Sequence, residues 1–254
     1  MTLTPPSIPQ RLNLPDHSTL AYHALAGKSP TVVFLGGFMS DMTGTKAMAL
    51  EAHCRGHGQA FVRFDYFGHG SSSGQFRDGT IGRWRDDALA VMDQLTRGPL
   101  VLVGSSMGGW IALLAAMARP ERVVGLVGLA AAPDFTRDLM APSFTAEERH
   151  ALETKGFFEQ PTAYGDAPYV ITRALIEEAE RHLILDHPVP VTCPVRLIHG
   201  DQDPDVPWQL SVRVIGRLMS EDVTLTLVKG GDHRLSTPAD LARISAAVEE
   251  LSVL

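Results

Sequence analysis

Cysteine is scarce in this chain. Cys54 and Cys193 are the only two in 254 residues, too few for a disulfide framework at this length, and both are expected as buried free thiols. Long apolar runs are missing too, since none reaches the roughly 18 residues that cross a membrane. The first ten residues, MTLTPPSIPQ, show no basic segment leading into an apolar run and no Arg-rich amphipathic pattern. Neither a secretory signal nor a transit peptide is therefore expected, and the expected address is cytoplasmic. Basic charge is short: 22 Lys and Arg stand against 29 Asp and Glu, a net charge of −7, and the basic residues are scattered. That excludes a nucleic-acid surface. Internal repeats and low-complexity tracts are also lacking.

What is present is a rhythm. The chain is 44% hydrophobic, enough to bury a sizeable core in one large α/β domain or two small ones. Two short antiparallel strands are expected at 10–13 and 18–23. Apolar runs at 32–35, 99–103 and 123–129 read as buried strands, and further strands are expected at 61–64, 195–198 and 223–228. Between them, helical spacing appears at 45–55, 81–95, 108–118, 209–218 and 240–251. Strands that are apolar throughout and separated by helices imply a mostly parallel twisted sheet of about eight strands, covered on both faces. The rhythm breaks over 134–190, where no strand run is visible. Thr145-x-x-Glu148 reads as a capping box for a helix ending near Gly156, and a second helix is expected at about 170–183. So long an insertion is not expected to be a bare loop. The predicted organisation is therefore a core of 1–133 and 191–254 with a helical cap at 134–190 carrying Phe157, Phe158, Tyr164 and Tyr169.

Chemistry concentrates where the run at 99–103 ends. Gly104-Ser105-Ser106-Met107-Gly108 matches G-x-S-x-G between a strand and a helix, the setting in which a serine is lifted clear of the sheet on a tight elbow. Ser106 is the candidate nucleophile, and Ser105 should point into the fold. The Met107 N–H falls at the helix start, where unpaired N–H groups favour negative charge. A serine needs a base, and the base an orienting acid. His233, in Lys229-Gly230-Gly231-Asp232-His233 after the last strand, is the candidate base. His150, His182 and His187 fall in the insertion, and His199 at a strand end suits a core role. The acid lies in Gly200-Asp201-Gln202-Asp203-Pro204-Asp205-Val206-Pro207, with Asp203 first, then Asp205 and Asp201. A calcium loop fails there, because Val206 and Val212 occupy the positions that need Gly and Glu. No metal and no cofactor are expected. The loop Gly36-Gly37-Phe38-Met39 offers the Phe38 N–H as a second oxyanion donor beside Met107 N–H. Ser71-Ser72-Ser73 reads as a turn, and Trp110 and Trp208 as packing residues.

Together these residues resemble the α/β-hydrolase superfamily over nearly the whole chain. The supporting pieces are Gly37-Phe38, Asp65-x-x-Gly68-x-Gly70-x-Ser72, the elbow, Gly200-x-x-Asp203-x-x-Val206-Pro207 and Gly231-Asp232-His233. The resemblance implies the α/β-hydrolase fold and assigns the acid to Asp203. In one departure, Gly36-Gly37 stands where many members have His-Gly. GGFMSDMTGTKA, FDYFGHGSS, VGSSMGGW, CPVRLIHG and VPW further resemble a thioesterase and acyl-ester-cleaving branch of that superfamily, which implies a bacterial relative of that branch. The expected activity is hydrolysis of carboxylic esters or acyl thioesters, on a small molecule or an acylated protein with an apolar acyl group. The alternatives are a serine peptidase or a non-catalytic ligand-binding member of the fold. Dehalogenase and epoxide-hydrolase chemistry is disfavoured, since the elbow residue is Ser106 rather than an aspartate.

Overall fold

The protein is described here from a computed structural model, which covers residues 8–162 and 168–253. In chain order it contains β1 (Gln10–Asn13), β2 (Thr19–Leu25), β3 (Lys28–Leu35), α1 (Thr45–Gly56), β4 (Gln59–Phe64), α2 (Ile81–Leu95), β5 (Leu100–Ser105), α3 (Met107–Ala118) and β6 (Val123–Leu129). The insertion holds α4 (Ala141–Ser143), α5 (Ala146–Thr154), β7 (Phe157–Gln160), β8 (Tyr169–Thr172) and α6 (Arg173–Ala179). β9 (Val195–Gly200), α7 (Gln209–Ile215), β10 (Val223–Val228) and α8 (Pro238–Ser252) complete the chain.

One eight-stranded sheet, in the order β1-β2-β4-β3-β5-β6-β9-β10, forms the frame. β1 and β2 are antiparallel, β2 is antiparallel to β4, and every other neighbouring pair is parallel. Side chains alternate across each strand, so β3 sends Val32 and Phe34 to one face and Val33 and Leu35 to the other. The first face packs on Ala47, Leu50 and Cys54 of α1 and Ile244, Val248 and Leu251 of α8. The second packs on Trp84, Val91 and Met92 of α2 and Trp110, Ile111 and Leu113 of α3. Each such aliphatic side chain contributes about 1.5–3 kcal/mol when fully buried. No helix among the described residues is long and apolar enough to cross a membrane.

Two expectations need correction. The insertion is not purely helical: β7 and β8 pair antiparallel as a two-stranded sheet, with Phe158 opposite Ile171. Val170-Ile171-Thr172, expected to begin a helix, is a β-branched run that favours the extended chain, and Thr172 instead caps α6 by accepting the Leu175 N–H at 3.1 Å. Tyr164 lies outside the described residues. The capping box is present, with Thr145 and Glu148 each bonding the other's backbone N–H. The thiols are also unequal. Cys54 is buried, and burial pushes its pKa up to about 12; Cys193 is half-buried and pushed up to about 11.

The insertion builds a small core of its own from Phe144, Leu152, Phe158 and Ile171. Its ends are tied together by Asp134, which sits fully buried just after β6 at φ 59°. The Asp134 carboxyl accepts the Ile184 N–H at 2.9 Å and the Leu185 N–H at 2.8 Å, so the chain leaving the sheet and the chain returning to it share one anchor. Burial pushes this carboxyl's pKa upward against those two bonds.

Candidate active site

Because β3, β5, β9 and β10 run parallel, the loops that follow them emerge at one edge of the sheet. Those loops carry Phe38, Ser106, Asp203 and His233. Ser106 follows the buried β5 at φ 55°, ψ −120° and is the N-cap of α3. A non-glycine residue held there stores about 1–3 kcal/mol of strain. The neighbouring backbone holds it in place. Ser106 N–H donates to Leu129 O at 2.9 Å, and Ser106 O accepts the N–H groups of Gly109 at 2.9 Å and Ala132 at 3.0 Å. Close approach demands glycine on both sides. A Cβ on Gly104 would collide with Gly108 O, and one on Gly108 with the carbonyl oxygens of Leu35 and Gly36.

The structure brings the three predicted side chains together. His233 Nε2 lies 3.1 Å from Ser106 Oγ, and His233 Nδ1 lies 2.8 Å from Asp203 Oδ2. Of the alternative aspartates, Asp205 supports Asp203 by donating its backbone N–H to Asp203 Oδ1 at 2.9 Å, and Asp201 Oδ1 accepts the Gly230 N–H at 2.5 Å. Val206 N–H also donates to Asp203 Oδ1 at 2.9 Å. Burial acts to raise the Asp203 pKa, but hydrogen bonds from His199, His233 and Val206 N–H outweigh it, and the carboxyl is held well below the usual carboxylate range. An ionised Asp203 favours the His233 tautomer with its proton on Nδ1, which leaves Nε2 to accept the Ser106 hydroxyl proton. Asp203, Asp205 and His233 each offer a ligand atom within 4.8 Å of the others. Both His233 nitrogens, however, are committed to Ser106 and Asp203, which is the arrangement of a proton relay.

The turn after β3 lies against the elbow: a Cβ built on Gly37 would stand 3.5 Å from Ser106 Cβ. The Phe38 N–H follows, and at the first position of α3 the Met107 N–H has no intrahelical acceptor. With Gly36-Gly37 at this turn, stiffness comes from the loop beyond it. Asp65 accepts the Met42 N–H at 2.6 Å and the Ser71 N–H at 2.8 Å, and Arg63 donates to Met42 O at 3.0 Å. Ser72 Oγ donates to Asp65 O at 2.6 Å, so the serine-rich turn is structural. Lys46, at the start of α1, donates to Arg234 O at 2.5 Å and ties the helix to the His233 loop. Burial lowers the Lys46 pKa to about 8, with the Asp232 carboxylate opposing it.

The Phe38 ring lies edge-on to Phe76 at 4.8 Å, to Tyr169 of β8 at 5.3 Å and to Phe135 at 5.8 Å. It thus joins the turn beside Ser106 to the insertion. Trp110 is fully buried and donates to His182 O at 3.0 Å, while Trp208 is half-buried. His199 is the residue that sequence reasoning undervalued. It is fully buried, as a core role requires, but its Nε2 lies 2.9 Å from Val206 O and 3.2 Å from Asp203 Oδ2. Its position at a strand end directly before the aspartate loop was the available signal.

Known proteins of the same build are readily found. The model of the alpha/beta hydrolase family matches residues 32–244. The mouse mitochondrial palmitoyl-protein thioesterase ABHD10 is 45% identical over 243 residues, covering 94% of this chain and 81% of its own. Its human counterpart is 44% identical over 241 residues, covering 94% of this chain and 78% of its own. Among solved structures, mouse alpha/beta hydrolase domain-containing protein 10 superposes with a TM-score of 0.88 at 43% identity, covering 96% of this chain and 98% of its own. An Agrobacterium vitis protein described as a hydrolase gives a TM-score of 0.92 at 41% identity, with coverage of 96% and 98%. The mitochondrial designation of the mammalian relatives differs from the cytoplasmic address expected from the sequence. A matched family model, relatives of this identity and a close superposition lead to one conclusion: the chain belongs to the alpha/beta hydrolase family.

Proposed function

We propose that this protein is a serine hydrolase that cleaves carboxylic esters or acyl thioesters with an apolar acyl group. The observation that carries the proposal is the relay from Ser106 Oγ to His233 Nε2 at 3.1 Å and from His233 Nδ1 to Asp203 Oδ2 at 2.8 Å. Ser106 Oγ attacks the acyl carbon as its proton passes to His233 Nε2. Asp203 holds the ring and stabilises the positive charge that forms there. The Phe38 and Met107 N–H groups bind the tetrahedral oxyanion, a contribution of about 3–4 kcal/mol for each such donor. The tetrahedral species collapses, and His233 returns the proton to the departing thiolate or alkoxide. A water then gives its proton to His233, attacks the acyl-enzyme, and releases the carboxylic acid and Ser106.

Residues 134–190 act as the cap over this site, and the Phe38–Tyr169 and Phe38–Phe135 contacts supply an apolar wall for the acyl chain. Relatives named palmitoyl-protein thioesterase favour a long-chain thioester, on a small molecule or an acylated protein. The experiment is labelling by a fluorophosphonate probe, followed by turnover of acyl thioesters and p-nitrophenyl esters of rising chain length. The parent is expected to label and turn over substrate, and Ser106→Ala to do neither while melting at the parent's temperature. A folded parent that binds acyl ligands without labelling or turnover would make the protein a binder.

A further inference from the structure

The ends of α1 and α8 remote from the proposed active site meet over β3 and β4, and a second cluster of chemically competent side chains lies there. His53 and His57 are one helical turn apart, with ring centroids 4.3 Å apart. Glu249 faces them from the last turn of α8. His53 Nε2 and His57 Nε2 lie 3.3 and 3.2 Å from the same atom, Glu249 Oε1. His57 Nδ1 lies 2.8 Å from His53 O, and a carbonyl oxygen can only accept, so the His57 proton resides on Nδ1. In the neutral ring Nε2 then aims a lone pair at a carboxylate oxygen. That arrangement is repulsive unless a cation lies between the two. A proton on His57 Nε2 relieves that contact, and His53 can meet the same oxygen with its own Nε2–H; a metal ion would serve both contacts at once, with each Nε2 as a ligand.

The spacing suits a metal. Bonds of about 2.0–2.1 Å in a tetrahedral site separate neighbouring ligand atoms by about 3.3–3.4 Å. The two nitrogen–oxygen separations are 3.3 and 3.2 Å, and all three ligand atoms lie within 4.8 Å of one another. The bond from His57 Nδ1 to His53 O is the outer-shell contact that orients a metal-bound imidazole. Both helix C-termini bring partial negative charge. The ligands border a cleft of about 250 Å³ with room for a water as fourth ligand. Lys28 shares that cleft, but it is exposed and its long stem lets the ammonium turn to solvent. Two imidazoles with one carboxylate select zinc-like transition ions over magnesium or calcium.

We propose that His53, His57 and Glu249 bind one divalent transition-metal ion of the zinc type, which pins the end of α1 to the end of α8. The sequence reading weighed a cation only at the aspartate loop. This site is at the opposite edge of the sheet, at the far end of α1, about 18 Å along the helix from its start, which follows the loop that carries Phe38. Since α1 follows the Phe38 loop and α8 follows the His233 loop, the ion braces the two helices behind those loops.

The test is calorimetric titration of the full chain with ZnCl2, beside its melting temperature. One ion per chain is expected to bind. Affinity should fall at least about tenfold in His57→Ala and in Glu249→Gln and stay unchanged in His233→Ala, which disables the other histidine-bearing cluster. At a hundredfold excess over Kd, zinc should raise the parent's melting temperature by about 5–10 °C and that of Glu249→Gln hardly at all. Glu249 is exposed, so this variant keeps the fold even where His53→Ala weakens it. Absence of zinc binding, full affinity in the His53→Ala/His57→Ala double variant, loss confined to His233→Ala, or an equal melting shift with MgCl2 would each overturn the proposal.

Discussion

Replacing His199 by phenylalanine tests whether Asp203 is positioned from behind. The ring of His199 is fully buried, and its Nε2 faces two acceptors, Val206 O at 2.9 Å and Asp203 Oδ2 at 3.2 Å. Two acceptors require a donor, so Nε2 carries the proton and Nδ1 accepts the Ser211 hydroxyl at 2.7 Å. Phenylalanine keeps a ring and deletes all three contacts, to Val206 O, Asp203 Oδ2 and Ser211 Oγ. A buried hydrogen bond to a charged group contributes about 1.5–3 kcal/mol, and the His233–Asp203 bond survives the change, so only part of that loss reaches the reaction. The expected result is a roughly tenfold lower kcat in acyl-thioester hydrolysis, about 1.4 kcal/mol, with KM little changed.

A second readout follows from charge. Asp203 is held below its unfolded value of about 3.9, so the stability it contributes is present above that pH and is lost as pH falls through the lower folded value. Without His199 the folded value rises, the contribution shrinks, and the acid-unfolding midpoint moves to higher pH. Glutamine at 199 restores a donor and should recover most of both losses. A His199→Phe variant with the parent's kcat and an unshifted acid-unfolding midpoint would refute the reasoning.

Other changes separate chemistry from architecture. Asp203→Asn keeps an acceptor for the Asp205 and Val206 N–H groups but loses the charge that stabilises the fold, so it should stay folded with a lower melting temperature while kcat falls by about 10⁴ through the wrong His233 tautomer, measured by single turnover. Asp134→Ala leaves the buried Ile184 and Leu185 N–H groups without their acceptor. It should destabilise the fold by about 2–4 kcal/mol in urea titrations, and an unchanged midpoint would remove Asp134 as the anchor of the insertion. Gly108→Ala drives a Cβ into two backbone oxygens and should cost more than about 2 kcal/mol, where an ordinary glycine in a helix gains stability from alanine.

The frame was legible because its signals are local. Buried parallel strands must be apolar throughout, so 99–103 and 123–129 are visible as runs, and Ile81–Leu95 shows its apolar face at helical spacing. The elbow is likewise written in adjacent residues, and so is the Thr145–Glu148 box. The hairpin of β7 and β8 escaped because each strand has only four residues and neither alternates cleanly, while the pairing that stabilises them is not local.

What the sequence determined by itself was therefore the elements of the core sheet and its helices and the residue types that each strand end carries: a serine on an elbow, three aspartates after one strand, a histidine after another. Its physical reason is that periodicity, capping and glycine's tolerance of close approach act within a few residues. Tertiary structure alone decided the partnerships. It turned Asp203 rather than Asp205 toward His233, set His199 behind that carboxylate, closed the insertion on Asp134, and laid Glu249 against His53 and His57. Apart from the four-residue step from His199 to Asp203, those contacts join strands and helices far apart in the chain, and their distances follow from sheet order and helix packing, which no local pattern encodes.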